Sequence, residues 1–91
     1  MPKMTMREKL EQYAEDADIV LLFADGFDEA IVGVGNQASK SECVIYDYDV
    51  CVSILKERNN MSFEEAIEYL DFNTTSAWMG DNTPIFMQRE F

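Results

Sequence analysis

Residues 62–80 read SFEEAIEYLDFNTTSAWMG, and this stretch decides the fold because it describes an amphipathic helix with both ends marked. Ser62 followed three residues later by Glu65 is a capping box, in which each side chain bonds the other residue's backbone N–H. Phe63, Ala66, Ile67, Leu70, Thr74 and Trp78 recur at spacings of three and four and line one stripe. Gly80 supplies the left-handed conformation that closes a helix, and Pro84 prevents its resumption. Glu64, Glu65, Glu68 and Asp71 occupy the opposite face with no basic residue among them. The stripe demands a partner layer. The acidic face is either solvated or a binding surface.

Upstream, Thr5 and Glu8 form a second capping box and open a helix that runs to about Asp16, with Met6, Leu10, Tyr13, Ala14 and Ala17 on its apolar face. Residues 19–23 are a continuous apolar run rich in branched side chains, which reads as a buried strand. The turn signal Asp25-Gly26 then leads to a second strand over 30–34, so a hairpin is expected. Gly33 and Gly35 raise the question of a phosphate-binding loop. No third glycine and no Lys-Ser/Thr pair follows at the required spacing, so a loop or a close strand approach is the better reading. Residues 43–46 make a third strand, and Asp47 or Asp49 caps a helix to about Arg58 with Val50, Cys51, Ile54 and Leu55 buried. Asn59-Asn60 breaks that helix. Residues 85–87 are a last short strand, placed at a sheet edge by Pro84. The order is α-β-β-β-α-α-β. The fold class is α+β, a small, mostly antiparallel sheet of three to four strands with helices packed on one face.

Ninety-one residues at 47% apolar composition make a single domain, residues 1–91, with no room for a second core. So small a body has little spare stability, and a homodimer would add some. The longest apolar run is too short to cross a bilayer, and the amino terminus lacks the apolar core of a secretory signal, so a cytoplasmic location is expected. Cys43 and Cys51 match no zinc spacing and read as small core residues. The chain has no histidine, which removes the commonest general base and the commonest metal ligand together. No catalytic residue, metal or cofactor is assigned, and an enzyme is not expected.

The charge is the compositional anomaly: 18 acids against 7 bases, net −11. A field of that sign repels nucleic acid and anionic membranes and attracts basic protein surfaces. Glu64 and Glu68 are four apart, as are Glu11 and Glu15 (with Asp16 beside them), which puts each pair's Cβ atoms about 5–6 Å apart and costs the helix stability. Duplex DNA carries one charge per about 3.4 Å along each strand, so rows of carboxylates crudely imitate a phosphate track. Partner-binding residues are therefore expected at Glu64, Glu65, Glu68 and Asp71, with Glu11, Glu15 and Asp16 as a second patch. A highly charged, solubilising surface explains the same residues more plainly. The alternative is a small-molecule or nucleotide module using Asp47, Asp49 and Asn73. Asp47 and Asp49 otherwise read as caps favoured by the helix dipole. Asn73, Thr74, Thr75 and Ser76 otherwise read as structural hydrogen-bonding groups, and Trp78 as core or interface.

The runs ADGFDEAIVGVG, CVIYDYDVCVSIL, MSFEEAIEYLDFN and AWMGDNTPIF, spanning about Asp18 to Met87, together resemble a family of small, uncharacterised acidic proteins of phages and prophages. The family's V-Y-D-Y-D run stands here as Ile45, Tyr46, Asp47, Tyr48 and Asp49. Its E-E-A-x-E-Y-x-x-F-N run is Glu64, Glu65, Ala66, Glu68, Tyr69, Phe72 and Asn73, and its G-x-x-T-P-x-F is Gly80, Thr83, Pro84 and Phe86. An arginine-containing loop common after the family's second strand is replaced by residues 36–41, with Lys40 alone. The resemblance brings no activity or catalytic residues. It implies a mobile-element setting, in which small acidic proteins commonly block host defence complexes in the manner of an anti-CRISPR protein. The expected partner is a basic host protein or ribonucleoprotein in the host cytoplasm.

Overall fold

The computed structural model describes residues 4–36, 38, 41–72, 80 and 82–89. Helix α1 (Met6–Ala17) begins where Thr5 and Glu8 exchange bonds: the Thr5 hydroxyl accepts the Glu8 amide at 3.1 Å, and the Glu8 carboxylate accepts the Thr5 amide at 2.8 Å. It ends at Asp18, whose φ of 55° is left-handed, an arrangement a short polar side chain tolerates. The Asp47 carboxylate accepts the Val50 amide at 3.2 Å and opens α2 (Tyr48–Arg58), which ends before Asn59 and the left-handed Asn60 (φ 54°). Helix α3 (Phe63–Leu70) carries the expected Ser62–Glu65 box. The chain continues as a π turn at Asp71 and Phe72. The rest of the expected long helix, with Asn73, Thr74, Thr75, Ser76 and Trp78, lies outside the described residues.

Strands β1 (Ile31–Gly35), β2 (Cys43–Asp47) and β3 (Ile85–Met87) form a three-stranded sheet in the order β1-β2-β3. The class is α+β as expected, and β3 holds the edge that Pro84 implies. The sheet is mixed, however, and not mostly antiparallel. β1 and β2 pair antiparallel, whereas β2 and β3 pair parallel. The reason is the path between them: α2 and α3 intervene, so the chain returns by a crossover and not by a hairpin. A bulge between Ile31 and Gly33 leaves Val32 unpaired and exposed.

Residues 19–23 form no strand, and the hairpin expected between them and 30–34 is replaced by β1–β2. The Ile19 amide instead closes α1 by donating to the Ala14 carbonyl at 2.9 Å, and the Ala24 amide donates to the Tyr46 hydroxyl at 2.7 Å. Ile19, Leu21, Phe23 and Ala24 still pack on the core. Their apolar character is satisfied by packing without a hydrogen-bond ladder. A short 3-10 turn (Asp28–Ala30) then leads into β1. The acids around this turn are held by arginines: Arg7 Nη1 lies 3.2 Å from Asp28 and 3.8 Å from Asp25, and Arg58 pairs with Glu29. Arg7 also sits over the Phe23 ring, 4.7 Å from its centroid.

Val44 and Tyr46 of β2 are wholly buried and share one cluster with Leu10 and Ala14 of α1, Cys51, Val52 and Leu55 of α2, and Ala66 and Leu70 of α3. Val44 and Tyr46, two positions apart, share one face of β2. Tyr46 stacks on Phe86 of β3 with centroids 5.4 Å apart. Cys43 and Cys51 are buried and not joined to each other, and burial pushes the Cys51 thiol up to about 12. No described helix is long and apolar enough to cross a membrane.

Candidate functional site

The site begins with the way α3 is anchored. The Ser62 amide donates to Glu65 Oε1 at 2.9 Å and the Glu65 amide to Ser62 Oγ at 3.2 Å. The backbone bond from Ser62, then its hydroxyl, hold the Glu65 carboxyl below its ordinary range. Ala66 and Leu70 point into the core with no exposure. A residue four positions on lies on the same side of a helix, so with 66 and 70 inward, positions 64, 68 and 72 turn outward. Glu64 and Glu68 are exposed, and among the described residues neither has an ion-pair partner. Phe72 is 84% exposed on the same side. Phe63, expected in the buried stripe, is 58% exposed, because it occupies the first helical position, beyond the reach of the core. Tyr69 is also exposed.

The four expected α3 acids therefore have different roles. Glu64 and Glu68 present charge to solvent, and Glu65 is shared with the cap. Asp71 accepts a hydrogen bond from the Tyr48 hydroxyl at 3.4 Å. Burial, followed by the Asp71 charge, raises the Tyr48 phenol above its ordinary value, which keeps it a donor. Asp71 and Tyr48 line a cleft of about 270 Å³ together with Pro84, Phe86 and Gln88.

The second acidic patch is less uniform than its sequence. Glu11 lies 3.8 Å from Arg7 Nε, Asp16 accepts from Gln12 Nε2 at 3.0 Å, and Glu15 is exposed. α1 packs mainly on β1 and the 3-10 turn, whereas α3 packs mainly on α2. The two patches thus sit on helices that are not principal packing neighbours.

The alternative ligand set does not assemble. Asp47 is 8% exposed, caps α2 and lies 3.2 Å from Arg89 Nε, so its carboxylate is engaged within the chain. Asp49 is exposed in the first turn of α2, and Asn73 lies outside the described residues. Among the described residues no group of three or more His, Cys, Asp or Glu is placed to hold a metal ion. A different cleft, of about 610 Å³, lies between Ile19, Val20, Asn36, Ser41, Glu42 and Asn82. There Asn82 Nδ2 donates to the carbonyls of Val20 (2.9 Å) and Glu42 (3.4 Å), and Tyr13 donates to the Glu42 carboxylate at 2.6 Å.

Sequence reasoning missed the outward aromatics and the Tyr48–Asp71 pair. Phe72 has a sequence signal, since it continues the series 64, 68, 72. The pair joins residues 23 apart and has none. What fold and site define is a small α+β protein with an acid-and-aromatic helix surface. No protein-family model matches the chain, and neither a curated protein nor a solved structure matches it.

Proposed function

We propose that the protein is a non-enzymatic inhibitor of phage type that docks α3 on a basic, nucleic-acid-handling host defence complex in the host cytoplasm, in the manner of an anti-CRISPR protein. The observation that carries this reading is Glu64 and Glu68 standing exposed on α3, without a described cation, beside a Phe72 that is 84% exposed. Carboxylates four apart destabilise a helix, and a phenylalanine in water gains nothing for the fold. Both make sense at an interface, where charge supplies on-rate and specificity and an aromatic anchor supplies affinity. The carboxylates imitate phosphate spacing within a single helix, four residues apart.

Capture from host lysate with the purified protein at low and at high salt tests the proposal. A nucleic-acid-binding complex held at low salt and released by added salt is expected, because exposed charges are screened. The double variant Glu64→Lys with Glu68→Lys abolishes capture. Salt-insensitive capture, or capture unaffected by the double variant, sinks the idea.

The cleft of about 610 Å³ favours a second reading, a small-molecule module, since ligand pockets span about 300–1,000 Å³. Its lining has a carboxylate and, among the described residues, no cation, so a nucleotide suits it poorly. Thermal shifts with a panel of neutral and cationic metabolites and of nucleotides, with and without Mg²⁺, decide it. No stabilisation at millimolar ligand removes the reading.

A further inference from the structure

We propose that the outer edge of β1 takes an extended, basic segment of a protein partner as an added strand. The inference shares with the proposed function only the basic character of the partner. It concerns a different element and stands or falls without α3.

Strand β1 ends the sheet on its side, since the order is β1-β2-β3. Beyond its ladder with β2, the Ile31 amide donates to the Asp28 carbonyl. Among the described residues, no backbone group outside β2 and this turn pairs with Ile31–Gly35. An edge of unpaired N–H and C=O groups is a template for another chain, and folded proteins blunt it with lysine, proline or a bulge. The strand IVGVG carries no charge and no proline. Its bulge interrupts only the first half, and Gly33, Val34 and Gly35 keep a regular register against Ile45, Val44 and Cys43. Three residues suffice to pair in this sheet, because β3 holds the opposite edge with three.

The open half of the edge is also bare and already in place. Gly33 has no left-handed φ, and a Cβ there would meet nothing within 4 Å, so neither backbone conformation nor internal packing asks for glycine. A strand glycine without an internal reason leaves the main chain open to a close approach from outside. Val34 beside it packs on the core and fixes the strand. Little ordering is left to be done on binding.

Charge decides what the edge accepts. Helix α1 packs on β1 and carries Glu8, Glu11 and Glu15, all exposed. From Leu10 to Gly35 the chain has no Lys or Arg. Two copies joined edge to edge would set two bodies of net charge −11 against each other, which disfavours self-pairing. A basic segment meets the opposite field. Main-chain bonds then supply affinity, and charge supplies selection.

Titration of the isotope-labelled full chain with the peptide Lys-Val-Lys-Val-Lys-Val at low salt tests the assignment, read by backbone amide resonances and hydrogen exchange. The largest shifts, and new protection from exchange, are expected at residues 32–35. The same peptide methylated at every backbone nitrogen keeps its charge and loses its donors, and is expected to bind about tenfold more weakly. Val32→Lys, a change at an exposed position that sets a like charge on the edge, weakens the unmodified peptide about fivefold. Glu64→Lys with Glu68→Lys leaves the β1 shifts in place. Equal binding of the two peptides, shifts confined to the acidic helices, or no shift at millimolar peptide overturns the added strand and leaves the α3 reading standing. Shifts in β1 that grow with protein concentration alone assign the edge to a second copy and overturn the basic segment.

Discussion

The Ala24 amide donates to the Tyr46 hydroxyl at 2.7 Å across 22 residues of sequence. This bond ties the irregular run 19–24 to the central strand from a side chain that is itself wholly buried. Tyr46→Phe keeps the ring, its stacking on Phe86 and most of its volume, but leaves a part-buried N–H without its partner. A loss of about 1–2 kcal/mol is expected, as for a buried donor left unsatisfied. A urea titration reads it as a lower midpoint at unchanged slope. An unchanged midpoint means that packing alone holds the run.

Arg7 collects Asp28, Asp25, Glu11 and the Phe23 ring around one guanidinium whose side chain is 29% exposed. Arg7→Met retains the stem and removes the charge. Allowing for solvent screening of these pairs, the expected cost is about 1–2 kcal/mol. The difference between variant and parent should narrow as salt rises, because the ion pairs are screened and the packing is not. Thermal melts across a salt series measure it.

Glu65 couples the α3 cap to pH. Its folded-state carboxyl lies below the ordinary value, so its contribution is present above the unfolded pKa and is lost as pH falls through the folded one. Parent and Glu65→Gln should therefore differ at neutral pH and converge only once pH has fallen through the folded-state pKa, which lies below the ordinary carboxylate value. Helicity and melting temperature from pH 7 downward check this. A difference that persists at low pH shows that the protonated carboxyl and the amide cap unequally without any charge, and removes the linkage.

Gly33 and Gly35 look alike in sequence and differ in space. A Cβ on Gly33 meets nothing within 4 Å, whereas one on Gly35 lies 2.7 Å from Ile45 Cδ1. Gly33→Ala is expected to be neutral or to stabilise by up to about 1 kcal/mol through the unfolded chain. Gly35→Ala forces Ile45 to another rotamer and is expected to cost about 1 kcal/mol. Equal midpoints for the two variants refute the distinction.

The parts of this molecule that are legible in sequence are those decided within a few residues. The Thr5–Glu8 and Ser62–Glu65 boxes, the Asp47 cap and the Asn59-Asn60 break each depend on neighbours three or four positions away. β3 at the edge follows from one proline. The run 19–23 is misread because apolarity reports burial, while a strand needs a partner, and β1 pairs with β2 instead. The parallel pairing of β2 with β3 depends on a path around two helices, which no local pattern encodes. For the site, spacing puts Glu64 and Glu68 outward, but it does not show that Asp71 turns to Tyr48 or that Asp47 is engaged by Arg89.

The mixed sheet also sets an order of events. Gly35 pairs with Cys43 across a short loop, whereas Ile45 pairs with Ile85 around both α2 and α3. Closing the longer loop costs more chain entropy before any contact repays it. The β1–β2 ribbon is therefore expected to form early and β3 late, which folding and unfolding rates of variants in the two strands would measure. Changes at Val34 should slow folding, while changes at Ile85 should hasten unfolding and leave the folding rate nearly untouched.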